Sequence, residues 1–234
     1  MKMIRLALFA ITAFIASSTK AQTVDEIISK HIEAIGGKEN LAKVKSLYIE
    51  SNMDMMGTSA PMVSNLVDGK GCRTEIIYNG STIINCFTDK GAWSLNPLGG
   101  NPSPVTLPDE MYQSGKNAIY TGGILFDYAT KGATAELQGK EDGAYKIKVT
   151  VANAPSFYFI DTATYYIKKM LVKGELMGSP VDITTSFSDY KKTDFGMVLP
   201  YSQVLDIGSY TLPSTVTKVE ANKAVDPAIF DMPK

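Results

Sequence analysis

The sequence predicts an α+β protein, mainly antiparallel β. The expected form is an incomplete, half-open barrel of about ten or eleven strands, with an N-terminal helix and short middle helices covering its concave face. Three observations lead there. Only one long segment, Thr23 to Gly37, has a clean helical period. Nearly everything after Ser46 reads as short alternating runs separated by turn residues. A lone amphipathic helix must bury its stripe, and the only partner on offer is a sheet.

In the helix, Val24, Ile27, Ile28, Ile32 and Ile35 recur on one face. Thr23 with Glu26 forms a capping box, and Gly36-Gly37 supplies the stop. Lys38 to Lys43 predicts one more turn or two, with Leu41 and Val44 facing the core. From Ser46 to Met56 the chain alternates, placing Leu47, Ile49, Ser51, Met53 and Met55 on one face. Turn punctuation follows at 57–60, 68–71, Asn79-Gly80 and 89–91, so successive hairpins are expected. Residues 96–108 are rich in Pro, Gly and Asn and predict neither strand nor helix. Pro108 then opens a short helix, and Tyr120 to Lys131 predicts a second helical piece ended by Gly132. Together these two pieces predict a flap over the open side of the sheet. Strands resume from Ala133, and Pro200 inside one of them predicts an edge or a bulge. Phe230 is expected to anchor a tight C-terminal turn.

Residues 1–21 read as a secretory signal peptide, with a basic start, a short apolar run and small residues before Ala21. No Cys follows that run, which argues against a lipid-anchored N-terminus, and no later segment is apolar for long enough to predict an integral membrane span. Residues 22–234 read as one domain. Processing would move the net charge from −1 to −4, since it removes Lys2, Arg5 and Lys20 and no acid. A mildly acidic body offers no footprint for nucleic acid.

Cys72 and Cys86 flank a hairpin. A loop at Tyr78-Asn79-Gly80 with Gly80 as a bulge residue sets Ile77 opposite Ser81 and the cysteines opposite each other, where a cross-strand disulfide could close. That register puts Cys72, Thr74, Ile76, Thr82, Ile84 and Cys86 on one face and Arg73 on the other. A two-residue Asn-Gly turn would misalign the pair by one and leave two buried thiols.

Catalytic chemistry finds little support. His31 is the only histidine, so histidine-based metal sites and triads lack members. No nucleophile elbow, phosphate-binding loop, dinucleotide fingerprint or CxxC occurs, and the close acids lie in turns. The expectation is no enzyme, no metal and no cofactor. His31 itself reads as a residue at the margin of the buried helix face. Met53, Met55, Met56 and Met62 cluster on one hairpin, where they serve as core filler or as adaptable walls for acyl chains.

Five segments, HIEAIGGKENLAKVKSL (31–47), TDKGAWSLNP (88–97), ILFDYATKGATAELQGKEDG (124–143), FSDYKKTDFGMVLP (187–200) and VDPAIFDMP (225–233), carry a family likeness. Together they resemble the periplasmic outer-membrane lipoprotein carriers, the LolA-like superfamily, in the diverged form common in Bacteroidetes. The resemblance implies an incomplete barrel closed by helices, with an apolar cavity for lipoprotein acyl chains. It also implies an arginine on an early strand that holds the lid, for which Arg73 is the nearest match.

The resulting expectation is an exported, periplasmic lipid- or acyl-chain carrier taking part in outer-membrane biogenesis. Its apolar lining would be Ile28, Ile32, Leu47, Ile49, Met53, Met55, Ile76, Ile84, Trp93, Leu125 and Phe126. Its partners would be a lipoprotein acyl chain and an envelope protein. The alternative is an envelope interaction module without a lipid ligand.

Overall fold

The computed structural model describes residues 22–176 and 179–233, so the signal-peptide segment lies outside the described residues. Six strands, β1 (Ser46–Met55), β2 (Thr58–Val67), β3 (Gly71–Tyr78), β4 (Ser81–Thr88), β5 (Ala92–Asn96) and β6 (Asn101–Thr106), form one antiparallel meander. A second meander runs through β7 (Ala133–Glu141), β8 (Ala144–Val151), β9 (Ala154–Asp161), β10 (Ile167–Leu176), β11 (Ser179–Lys192), β12 (Val198–Asp206) and β13 (Thr211–Ala221). Pairing of β1 with β13 joins them into a single sheet, and β6 and β7 remain as unpaired edges. The sheet is open, an α+β half-barrel, as expected.

It has thirteen strands rather than ten or eleven. The prolines at 102 and 104 hid β6, which tolerates their missing N–H groups because it is an edge strand. Pro200 also has an account. The β12–β13 ladder covers only Ser202–Asp206 against Thr211–Thr215, so β12 is one-sided where Pro200 stands.

Helix α1 (Val24–Ala34) forms as its pattern dictates. Thr23 Oγ1 accepts from the Glu26 amide at 3.2 Å, and the Thr23 amide donates to Glu26 Oε2 at 2.9 Å. At the other end the Gly37 amide donates to the Ile32 carbonyl at 2.9 Å. Gly36 sits at φ +128°, and a Cβ there would lie 2.5 Å from the Gly196 carbonyl oxygen, so only glycine lets the helix end come this close. The Val198 amide then donates to the Ile35 carbonyl at 2.8 Å, tying the helix end to the one-sided part of β12.

Ile27, Ile28, Ile32 and Ile35 are buried with Leu41 of α2 (Lys38–Lys43) against Tyr145, Ile147 and Val149 of β8 and Tyr158 and Ile160 of β9. Each such side chain contributes about 1.5–3 kcal/mol through apolar area removed from water. On β8, Lys146 and Lys148 alternate with the fully buried Ile147 and Val149, which marks the helix-facing side as concave. A smaller second core lies on the outer face. There Ile84, Cys86 and Trp93 pack with Phe230 of the C-terminal 3-10 turn Pro227–Phe230. The Trp93 Nε1–H donates to the Phe230 carbonyl at 2.8 Å.

The hairpin between β3 and β4 differs from the expected register. Tyr78 pairs with Ser81 around a two-residue Asn79-Gly80 turn, with φ of +50° and +74°. Cys72 therefore faces Phe87, and Arg73 faces Cys86. A one-residue slip turns every side chain to the other face, so the two cysteines lie on opposite sides of the sheet and both are free. The disulfide expectation is corrected accordingly.

Candidate functional site

Between β6 and β7 the chain folds over the concave face as the flap the sequence predicted. It comprises α3 (Asp109–Gly115), the 3-10 turn Lys116–Ile119, turns through residues 120–127 and the 3-10 turn Tyr128–Lys131. Its ties run to one side. The Gly69 amide donates to the Ile119 carbonyl at 2.9 Å. Thr121 Oγ1 donates to the Val44 carbonyl at 2.8 Å, and its amide to Asp68 Oδ1 at 3.1 Å. Toward the helices, Tyr128 donates to Asp25 at 2.6 Å and Lys38 pairs with Asp127 at 2.9 Å. Lys131 closes the flap on itself, donating from Nζ to the carbonyls of Gly123 (2.8 Å) and Phe126, with the Tyr120 ring 4.4 Å from Nζ.

Beneath the flap lies a cavity of about 400 Å³, within the size range of small-molecule sites. Tyr158, Met170, Phe187 and Leu199 of β9–β12 form its floor, Ala118, Ile124 and Leu125 its roof, and His31 and Ile35 its end wall. Among the described residues, no Asp, Glu, Lys or Arg lines it.

The polar groups in its wall are neutral. His31 is 3% exposed, and its Nδ1 lies 2.8 Å from the Tyr165 carbonyl oxygen. A carbonyl only accepts, so Nδ1 carries the proton and Nε2 is left as an acceptor. Burial holds the imidazole pKa down at about 4, which keeps the ring uncharged. Burial likewise pushes the Tyr158 phenol up to about 12 and raises that of Tyr190, whose hydroxyl donates to the Ile167 carbonyl at 2.7 Å.

Two further concavities lie beside the cavity. A groove of about 270 Å³ runs along the concave face of β1–β3 and β11–β13, lined by Ile49, Met53, Met62 and Leu205 together with serines, threonines and Gln203. An outer crevice of about 550 Å³ separates α1 from the flap and carries Asp25, Glu33, Lys38 and Asp127 beside Ile28, Ile32 and Phe126.

Several solved structures share this architecture. A LolA superfamily protein from Nitrosomonas europaea superposes with a TM-score of 0.58 at 10% identity, over 89% of this chain and 97% of its own. The fold is LolA-like. A DUF1329 family protein from Desulfovibrio piger gives a TM-score of 0.54 at 14% identity, over 90% of this chain and 98% of its own. A putative outer membrane lipoprotein-sorting protein domain from Vibrio parahaemolyticus gives 0.52 at 13% identity, over 88% and 95%. No family model matches the sequence, and no curated protein matches it significantly.

Within the LolA-like fold, the residues expected to line one cavity are scattered. Leu125 is in the roof. Ile28, Ile32 and Phe126 face the outer crevice, while Ile49 and Met53 line the groove. Leu47 is buried in the main core below the helices. Met55 and Ile76 are half-buried and line none of these three spaces. Ile84 and Trp93 belong to the outer-face core with Phe230, away from the cavity. Both are corrected by the hairpin slip, which turned β4, and β5 beside it, over.

Arg73 stands on the face of β3 opposite Cys72, as expected, but does not hold the flap. It shares the outer face with Cys86 and pairs with Glu75 of its own strand. The residue that braces the flap through loop carbonyls is Lys131. His31, read from sequence as marginal, is fully buried and forms part of the cavity wall. The floor on β9–β12 is not legible in the sequence, because its residues come from four separate strands that meet only under the flap.

Proposed function

We propose that this chain binds a lipid acyl chain in the cavity under the flap, as an exported protein whose residues 1–21 serve as signal peptide and whose residues 22–234 form one domain. The observation that carries the reading is the lining, which is apolar in bulk and free of ionic groups among the described residues, inside a LolA-like fold. Acyl chains need adaptable apolar walls and few directional contacts, and each methylene moved from water contributes about 0.8 kcal/mol. The likeness to the putative outer membrane lipoprotein-sorting protein domain from Vibrio parahaemolyticus supports a lipoprotein acyl chain as the natural form of the ligand, handed on within the periplasm.

The test is native mass spectrometry of the exported protein, with lipid extraction. Acyl ligand should be found, and the mature protein should begin at Gln22. Met170→Trp, which fills the floor, should abolish the bound mass while leaving the fold intact. Protein that stays ligand-free and takes up no labelled acyl chain would refute the reading. It would favour instead an envelope interaction module, for which Met56 and Ile77, 78% and 53% exposed near hairpin tips, offer apolar contacts.

A further inference from the structure

The groove next to the cavity has a character of its own. Its polar side chains are Ser51, Ser64, Thr74, Thr185, Gln203 and Ser214. Ser64 and Thr74 bond each other at 2.9 Å. Ser51 and Ser214 are 5% and 8% exposed, and their hydroxyls have no side-chain hydrogen bond among the described residues.

The groove continues the cavity. Thr185 stands directly opposite Met170 across the β10–β11 ladder, and Gln203 directly opposite Phe187 across β11–β12. Met170 and Phe187 are cavity floor, while Thr185 and Gln203 are groove. Directly opposed residues are only about 5 Å apart, so one molecule reaches both spaces.

Among the described residues, neither space is lined by a carboxylate, ammonium or guanidinium group. A phosphate or carboxylate head would call for Arg, Lys or a helix N-terminus. Arg73 is on the far face with Glu75, and His31 presents a neutral acceptor. Charged groups of both signs do line the outer crevice, so their absence here is local.

We infer that the amphiphile held by this chain carries an uncharged, hydroxyl-bearing head, which lies in the groove while its acyl chain occupies the cavity. This rests on the acyl-binding reading above and adds the chemistry of the head. Hydroxyls and the Gln203 amide both donate and accept, matching a polyol or glycosyl head and leaving a buried anion without a counter-charge.

The experiment is displacement of a pyrene-labelled acyl chain from the full mature protein at pH 8. The competitors are monooleoylglycerol, oleate and oleoyl lysophosphatidic acid, which share one chain and are used below their micellar concentrations. Monooleoylglycerol should compete at a concentration at least about tenfold lower than either anion, since a factor of ten is only ~1.4 kcal/mol and an unpaired buried charge costs more. Gln203→Lys should close most of that gap by tightening the anions about tenfold. Anions that compete as well as the neutral lipid, or a Gln203→Lys protein with unchanged anion affinity, would overturn the inference while leaving acyl binding in place. Failure of the label and all three lipids to bind would overturn the acyl reading, and this one with it.

Discussion

His31 makes stability depend on pH in a window where few other groups titrate. Its imidazole is held at about 4 in the folded protein and returns to about 6.5 in the unfolded chain. The folded state therefore resists a proton that the unfolded state accepts. Stability from this residue is fully present above about pH 6.5 and is lost progressively as pH falls toward 4. The loss should reach about 2 kcal/mol by pH 5 and about 3 kcal/mol by pH 4, at 1.36 kcal/mol per unit.

The partly exposed carboxylates with lowered values, Glu141, Asp161 and Glu220, respond lower still. Urea unfolding at pH 7.5, 6 and 5, run in parallel on the native sequence and on His31→Gln, isolates the histidine. His31→Gln will be less stable at pH 7.5, but its curve should flatten, so the difference between the two proteins shrinks by about 2 kcal/mol between pH 7.5 and 5. Parallel curves across that range would refute the assignment of a buried, neutral imidazole.

Three further outcomes are expected. Lys131→Met removes the donors to the Gly123 and Phe126 carbonyls. Amide exchange across 120–127 should quicken about tenfold or more while global stability falls by no more than ~1.5 kcal/mol; unchanged exchange would contradict the bracing role. Gly71→Ala sets a Cβ 2.7 Å from the Phe230 ring, so it should cost about 1–3 kcal/mol and loosen the C-terminal turn to proteolysis, whereas a neutral substitution would show that the ring yields freely. Burial raises the Cys72 and Cys86 thiols to about 11 and about 12. The native protein should therefore react very slowly with a disulfide reagent at pH 8 and yield two thiols only when unfolded; a native intramolecular disulfide by mass spectrometry would reverse the register argument.

What could be read from the sequence divides along a physical line. Features set by neighbours a few residues apart were legible: the isoleucine stripe, the Thr23–Glu26 box, the Leu41 and Val44 positions and the Phe230 anchor. Features set by strand pairing depended on one turn. Tyr78-Asn79-Gly80 can close in two ways that differ by one residue, and that choice alone decides whether Cys86 and Ile84 share a face with Cys72 or with Arg73. The packed ring of Trp93 followed Ile84 and Cys86 to the outer face. His31 was underestimated because a polar type on an apolar stripe reads as a boundary, whereas here a backbone carbonyl from 134 positions away satisfies it. The cavity floor stayed hidden because it needs β9–β12 and the flap to meet, which no local pattern encodes.

The seam between β1 and β13 has a consequence for how the molecule comes into being. Leu47 meets Ala221, and Met53 meets Ser214, so the centre of the finished sheet is the last strand to be made. A polypeptide delivered from its N-terminus can zip each run of hairpins locally, but the two halves stay apart until residues 211–221 arrive. Until then β1 presents a bare, sticky margin to its surroundings. The vulnerable period of this protein's life is therefore its assembly, which closes when β13 seats between the two halves.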